Sequence, residues 1–188
     1  MSDSAKLKPI NLEPIERSTG RPWADWMKFM EGIGAADLSH AQIAQKVEVE
    51  LGASVDNPGW WAQGITVAYE QQSGRRLPGQ QADGTFQTSV SRTTDLTVQE
   101  ALDKWAAFAG ADRGVSTIVS GDAKLAGSEK RRTWRAKAAD GSSVMFTSEL
   151  RPNGKTAVLV NHMRLSTQEE NLAAKETWTA VLERFLRS

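Results

Sequence analysis

The chain has no cysteine. Disulfides, thiolate nucleophiles and every cysteine-based metal site are thereby excluded. It has no charge of one sign in excess: 23 basic residues stand against 23 acidic ones, with a sequence pI near 6.8. No global field draws it to nucleic acid or to an anionic membrane. No apolar run reaches membrane-spanning length, and Met1 to Pro9 is polar, without the apolar stretch of a secretory leader. The expectation is a soluble cytoplasmic protein that binds neither membrane nor nucleic acid.

Histidine is equally sparse. His40 and His162 are the only two, and HExxH, GxSxG, a Gly-rich phosphate loop and a paired-carboxylate signature are all missing. Neither a metal nor a cofactor is expected, and no catalytic residue can be named. Tryptophan, by contrast, is abundant, with seven against one Tyr and five Phe. Indole is too large, and too polar at its N–H, to be indifferent filler; an apolar cleft, a protein interface or a packed core would use it.

Along the chain, residues 1–19 carry Pro9 and Pro14 among alternating charges and read as a flexible arm. Residues 20–79 read as a helical subdomain. Trp23, Trp26, Met27 and Met30 repeat at helical spacing, Ser39 caps a second helix with Ile43 and Val47 inside, and Asp56 or Asn57 caps a third carrying Trp61, Ile65 and Tyr69. A helix-turn-helix reading of the second and third fails for want of outward Arg, Lys or Asn before Arg75. A polar connector with Pro78, Gly79 and Gly84 follows.

Residues 85–188 read as a mixed unit. Phe86, Thr88 and Val90 alternate as in a half-buried strand, and Thr97 with Glu100 forms a capping box ahead of Val98, Leu102, Trp105 and Phe108. Residues 111–132 are hard to read, with strand-like content near Gly114 to Ser120 and loop signals at Gly121 and Gly127. Three strands are then predicted, at residues 133–139, 142–150 and 156–165, joined at Asp140-Gly141 and Asn153-Gly154. A long helix closes the chain, opened by Thr167 and Glu170 and striped by Leu172, Trp178, Val181, Leu182 and Phe185. The fold class is thus α+β: a curved antiparallel sheet around a long C-terminal helix, preceded by helices.

The segment Thr156-Ala-Val-Leu-Val-Asn-His162-Met-Arg-Leu165, followed by Lys175-Glu-Thr-Trp178-Thr-Ala-Val-Leu182, resembles the ending of the START-like (SRPBCC, helix-grip) superfamily, in the branch of heat-shock ATPase activator homologues. Trp60-Trp61-Ala-Gln-Gly-Ile-Thr-Val-Ala-Tyr69 and Asp83-Gly84-Thr-Phe86 are similar to a small uncharacterised bacterial family that adds helices to this ending. The resemblance implies non-catalytic binding of a small hydrophobic or amphipathic ligand, with a protein-interaction or co-chaperone-like module and a cyclase-like enzyme as alternatives. The second half is shorter than a full START-like domain, so its cavity could be shallow or closed. The candidate ligand wall is Trp60, Trp61, Trp105, Trp134, Phe146, His162 and Trp178, a set that would equally well fill a core. Arg131, Arg132 and Arg135 could neutralise an anionic ligand, or simply form a solvated strand face. A homodimer is the base-rate expectation for assembly.

Overall fold

The computed structural model describes residues 10–188, and the chain divides at Pro78–Gly79 into two compact units. In the first, α1 (Glu13–Thr19), α2 (Trp23–Gly32), α3 (His40–Leu51) and α4 (Pro58–Gln72) are joined by short turns. Their apolar stripes meet in one core that holds Ile15, Trp26, Met30, Ile43, Val47 and Ile65. Ser39 and Gln42 cap α3 reciprocally, a device that contributes about 1 kcal/mol.

Helix α1 corrects the sequence reading, which placed residues 13–19 in a flexible arm; residues 1–9 lie outside the described residues. Seven residues are too few to hold a helix by propensity. Tertiary contacts hold this one: Ile15 is buried, Glu16 accepts from the Trp23 amide at 2.7 Å, and Thr19 Oγ1 accepts from the Trp26 indole at 3.3 Å. The third helix also starts differently from expectation. Asn57 precedes it in the left-handed region (φ 57°) with no side-chain cap, and Pro58 supplies the first turn.

The second unit runs β1 (Phe86–Thr94), α5 (Val98–Ala111), α6 (Arg113–Ser116), β2 (Val119–Gly127), β3 (Arg131–Ala138), β4 (Ser143–Leu150), β5 (Thr156–Leu165) and α7 (Gln168–Arg187). The five strands form one antiparallel open sheet in the order β1-β5-β4-β3-β2. Both hairpin joints work as the sequence implies. Gly141 and Gly154 take positive φ, and Asp140 and Asn153 accept from the amides two residues on, at 2.9 and 3.1 Å. The unread stretch becomes α6 and β2, an edge strand with most side chains exposed and therefore without alternation.

Helices α5 and α7 pack on one face of the sheet. Trp105 sits at the centre, fully buried. Its ring stacks on Phe146 at 4.3 Å and 6°, and meets Trp134 and Phe185 edge-on at 6.0 and 5.4 Å. Register on this face is kept by a bulge at Arg164, whose φ is 63°: Phe86 pairs with Leu165 but Gln87 pairs with Met163. A regular strand would turn Arg164 toward the helices; the bulge places Leu165 there instead, buried.

The Trp105 indole N–H is buried with no acceptor. Trp105→Phe therefore removes an unpaired donor along with some volume and should cost no more than about 1.5 kcal/mol. Trp105→Ala should cost about 3–5 kcal/mol. Urea unfolding of the two variants would separate them, and equal losses would mean that the ring stack does not organise this core.

Candidate functional site

The anticipated ligand-wall residues divide between the two units. Trp105, Trp134, Phe146 and Trp178 are buried in the core of the second unit, in contact with Val181, Leu182, Phe185 and one another rather than around a void. Trp60 and Trp61 belong to the first unit, edge to face at 4.6 Å, with Trp60 67% exposed. They border an open hollow of about 700 Å³ with Ser18, Asp56 and Asn57. Trp23 and Trp26 of the same unit are buried, so of these indoles Trp60 is the exposed one.

His162 is the most constrained polar side chain. It leaves β5 toward the helices and is nearly covered. The Trp178 indole donates to its Nδ1 at 3.0 Å, its Nε2 lies 2.7 Å from Ser142 Oγ, and Ser142 Oγ donates to Asp140 Oδ1 at 2.6 Å. An indole N–H can only donate, so Nδ1 accepts. The neutral ring then carries its proton on Nε2 and donates to Ser142, whose own proton goes to Asp140.

This Ser–His–Asp set therefore runs the wrong way for nucleophilic catalysis. A serine nucleophile needs a histidine nitrogen free to accept its proton, and here that nitrogen holds one. Ser142 is also buried. The network instead ties β5, the β3–β4 turn and α7 together. It underlies a shallow hollow of about 330 Å³ bordered by Ile118, Asp140, Glu170 and Ala174.

Burial holds the His162 pKa below its ordinary value, against the opposing pull of Asp140 and Glu170. Hydrogen bonds from the Ser142 hydroxyl and amide lower Asp140. His40 is similarly tied, within the first unit. Its ring nitrogens lie 3.0 Å from Glu70 Oε2 and 2.8 Å from Gln63 Oε1, and Arg76 reaches the same Glu70 oxygen at 3.3 Å. Glu70 is accordingly a buried partner of both His40 and Arg76.

The opposite face of the sheet has no helix of this unit upon it and holds a groove of about 520 Å³. Register builds it in two rows. Lys124, Arg135, Met145 and Asn161 pair across β2, β3, β4 and β5; Ser120, Lys137, Ser143 and Met163 pair in the next row. Between Ser120 and Lys124 the edge strand carries two more residues than β3 opposite, with Gly121 at φ 73° and Asp122 on the rim. Asn161 is not part of the lining, so the groove is cationic toward β2 and has Met145 and Met163 toward β5. Of the anticipated residues only Arg135 reaches it. The methionines were missed because their meeting depends on cross-strand register, although both stand at strand positions whose side chains alternate away from the buried set.

Among the described residues no three His, Asp or Glu side chains are gathered as metal ligands, and no helix is long and apolar enough to cross a membrane. A scan against models of protein families finds no match for this chain, and a search of characterised proteins finds none either.

Protonating His162 would oppose burial and the Trp178 hydrogen bond, so the folded state binds its proton less readily than the unfolded chain. Its contribution to stability is complete above the unfolded histidine pKa of about 6.5. It is lost as pH falls below that value toward the lower folded pKa. Urea unfolding between pH 7.5 and 5.5 should show the parent losing more stability than His162→Gln. Parallel pH profiles for the two proteins would refute this assignment.

Proposed function

We propose that this chain is a START-like protein that binds a small amphipathic molecule without transforming it, on the open face of its sheet. The single observation that carries the reading is the groove over β2–β5, whose volume falls within the roughly 300–1,000 Å³ of ordinary small-molecule sites. Met145 and Met163 supply its apolar floor. Unbranched thioether chains adapt to varied apolar shapes, which suits a binder of amphiphiles better than a site for oriented chemistry.

The sequence resemblance points to the same ligand class, but the location differs from the one it implies. Between sheet and C-terminal helix the rings of Trp105, Phe146 and Phe185 occupy the space a carrier cavity would need. The absence of a catalytic role agrees with the His162 tautomer, which leaves Ser142 without a base. A soluble cytoplasmic setting, as composition suggests, is compatible with a carrier or sensor of such molecules.

Titration calorimetry with 1-dodecanol and with dodecanoate, each below its aggregation threshold, tests the reading. Saturable one-to-one binding is expected for at least one. The double substitution Met145→Ser with Met163→Ser should weaken binding about tenfold, through lost apolar contact worth roughly 0.8 kcal/mol per methylene. No saturable binding, or binding that the methionine variant leaves intact, would sink the proposal.

A further inference from the structure

The groove is asymmetric, and its cationic end has no internal explanation. Lys124 and Arg135 are direct cross-strand partners, and Lys137 stands two residues from Arg135 on the same face. Side chains so placed start about 5 Å apart across the strands, and like charges directly opposite one another destabilise a sheet. Carboxylates normally interleave such an array. Here none of the three cations is in an ion pair among the described residues, whereas Arg131 and Arg151 nearby share Glu149. Asp122, the one carboxylate on the rim, pairs with none of them.

Resting on the amphiphile reading above, we infer that the polar end of the ligand is an anion, a carboxylate or a phosphate monoester, held by Lys124, Arg135 and Lys137 while its chain lies over Met145 and Met163. The geometry matches such a molecule end for end. Arg135 is cross-strand partner to both Lys124 and Met145, so it stands at the junction of the two regions. Its planar guanidinium can take a carboxylate or phosphate through two parallel hydrogen bonds, and the two ammonium groups add charge at either side. Ser120 and Ser143, in the row of Lys137, offer hydroxyls within the same groove. The bulge between Ser120 and Lys124 brings Gly121 and Asp122 to the rim on the cationic side, and the methionines lie toward β5.

The same chemistry could come from a free amphiphile or from the headgroups of an anionic bilayer. The groove's confined volume and mixed lining favour the free molecule, since a bilayer surface would present charge to a broad cationic plane rather than a half-apolar trough.

The test compares dodecanoate and dodecyl phosphate with 1-dodecanol on the full chain, by titration calorimetry at low and high salt, with vesicles of phosphatidylglycerol and phosphatidylcholine as a separate arm. Expected is at least about a tenfold preference for the anions over the alcohol, the scale of one charge-assisted hydrogen bond. The preference should shrink as salt rises. Lys124→Gln, Arg135→Gln and Lys137→Gln together should abolish it while dodecanol binding persists. Arg135→Lys, which keeps the charge, should retain most of it and guards against a folding artefact. Equal affinity for alcohol and anion, with the methionine variant still weakening both, would overturn the anion assignment and leave the amphiphile reading standing. Binding of neither would overturn both, and attachment to anionic vesicles without binding of free dodecanoate would overturn the free-molecule assignment.

Discussion

The second unit depends on one contact, the near-parallel stack of Trp105 on Phe146. One ring comes from α5 and the other from the middle strand of the sheet, and Phe185 of α7 closes on both at 5.4 and 5.7 Å. Three elements distant in sequence are thereby fixed by a single aromatic cluster, in a geometry that aromatic quadrupoles favour. Everything else in the unit is a refinement of that placement. The Ser148 hydroxyl bonds the Val98 carbonyl at 2.8 Å, and Arg184 grips Asp112 at 2.9 Å through two nitrogens.

A core filled this way decides where function can reside. A cavity between sheet and helix would require some of these rings to stand apart, and they do not. His162, which in an open cavity would be an obvious polar contact, is committed on both nitrogens to holding α7 against the β3–β4 turn. The helix-bearing face of the sheet is therefore given over to stability, while on the other face methionines and unpaired cations line one groove.

How much of this the sequence disclosed depended on how local the cause was. The two capping boxes at Thr97 and Thr167, the Asp140-Gly141 and Asn153-Gly154 turns and the 3.6-residue stripe of α7 are decided within a few residues, and each element stands where those signals put it. Helix α1 was invisible because its stability comes from Trp23 and Trp26, residues of the next helix. Strand β2 was invisible because an exposed, bulged edge has no reason to alternate. The site suffered most. Tryptophans attract notice by their scarcity elsewhere, yet whether an indole lines a space or fills it is a property of three-dimensional packing. Met145 and Met163 lie eighteen residues apart and come to line one groove only through the register of β4 and β5.

The bulged edge strand β2 bears on both the sheet's solubility and the groove. A long exposed edge invites pairing with other chains, and β2 carries the usual defences: a bulge that interrupts the ladder, a glycine in the left-handed region and lysine among its side chains. Edge protection alone, however, would be served by charges of either sign, and by charges on either face. It gives no reason for Lys124 to stand opposite Arg135, where the two repel, nor for the cations to adjoin a pair of half-buried methionines. On the proposed reading, an anion bound between them would relieve the repulsion and an alkyl chain would cover the thioethers, which gives the bulged edge a reason beyond protection.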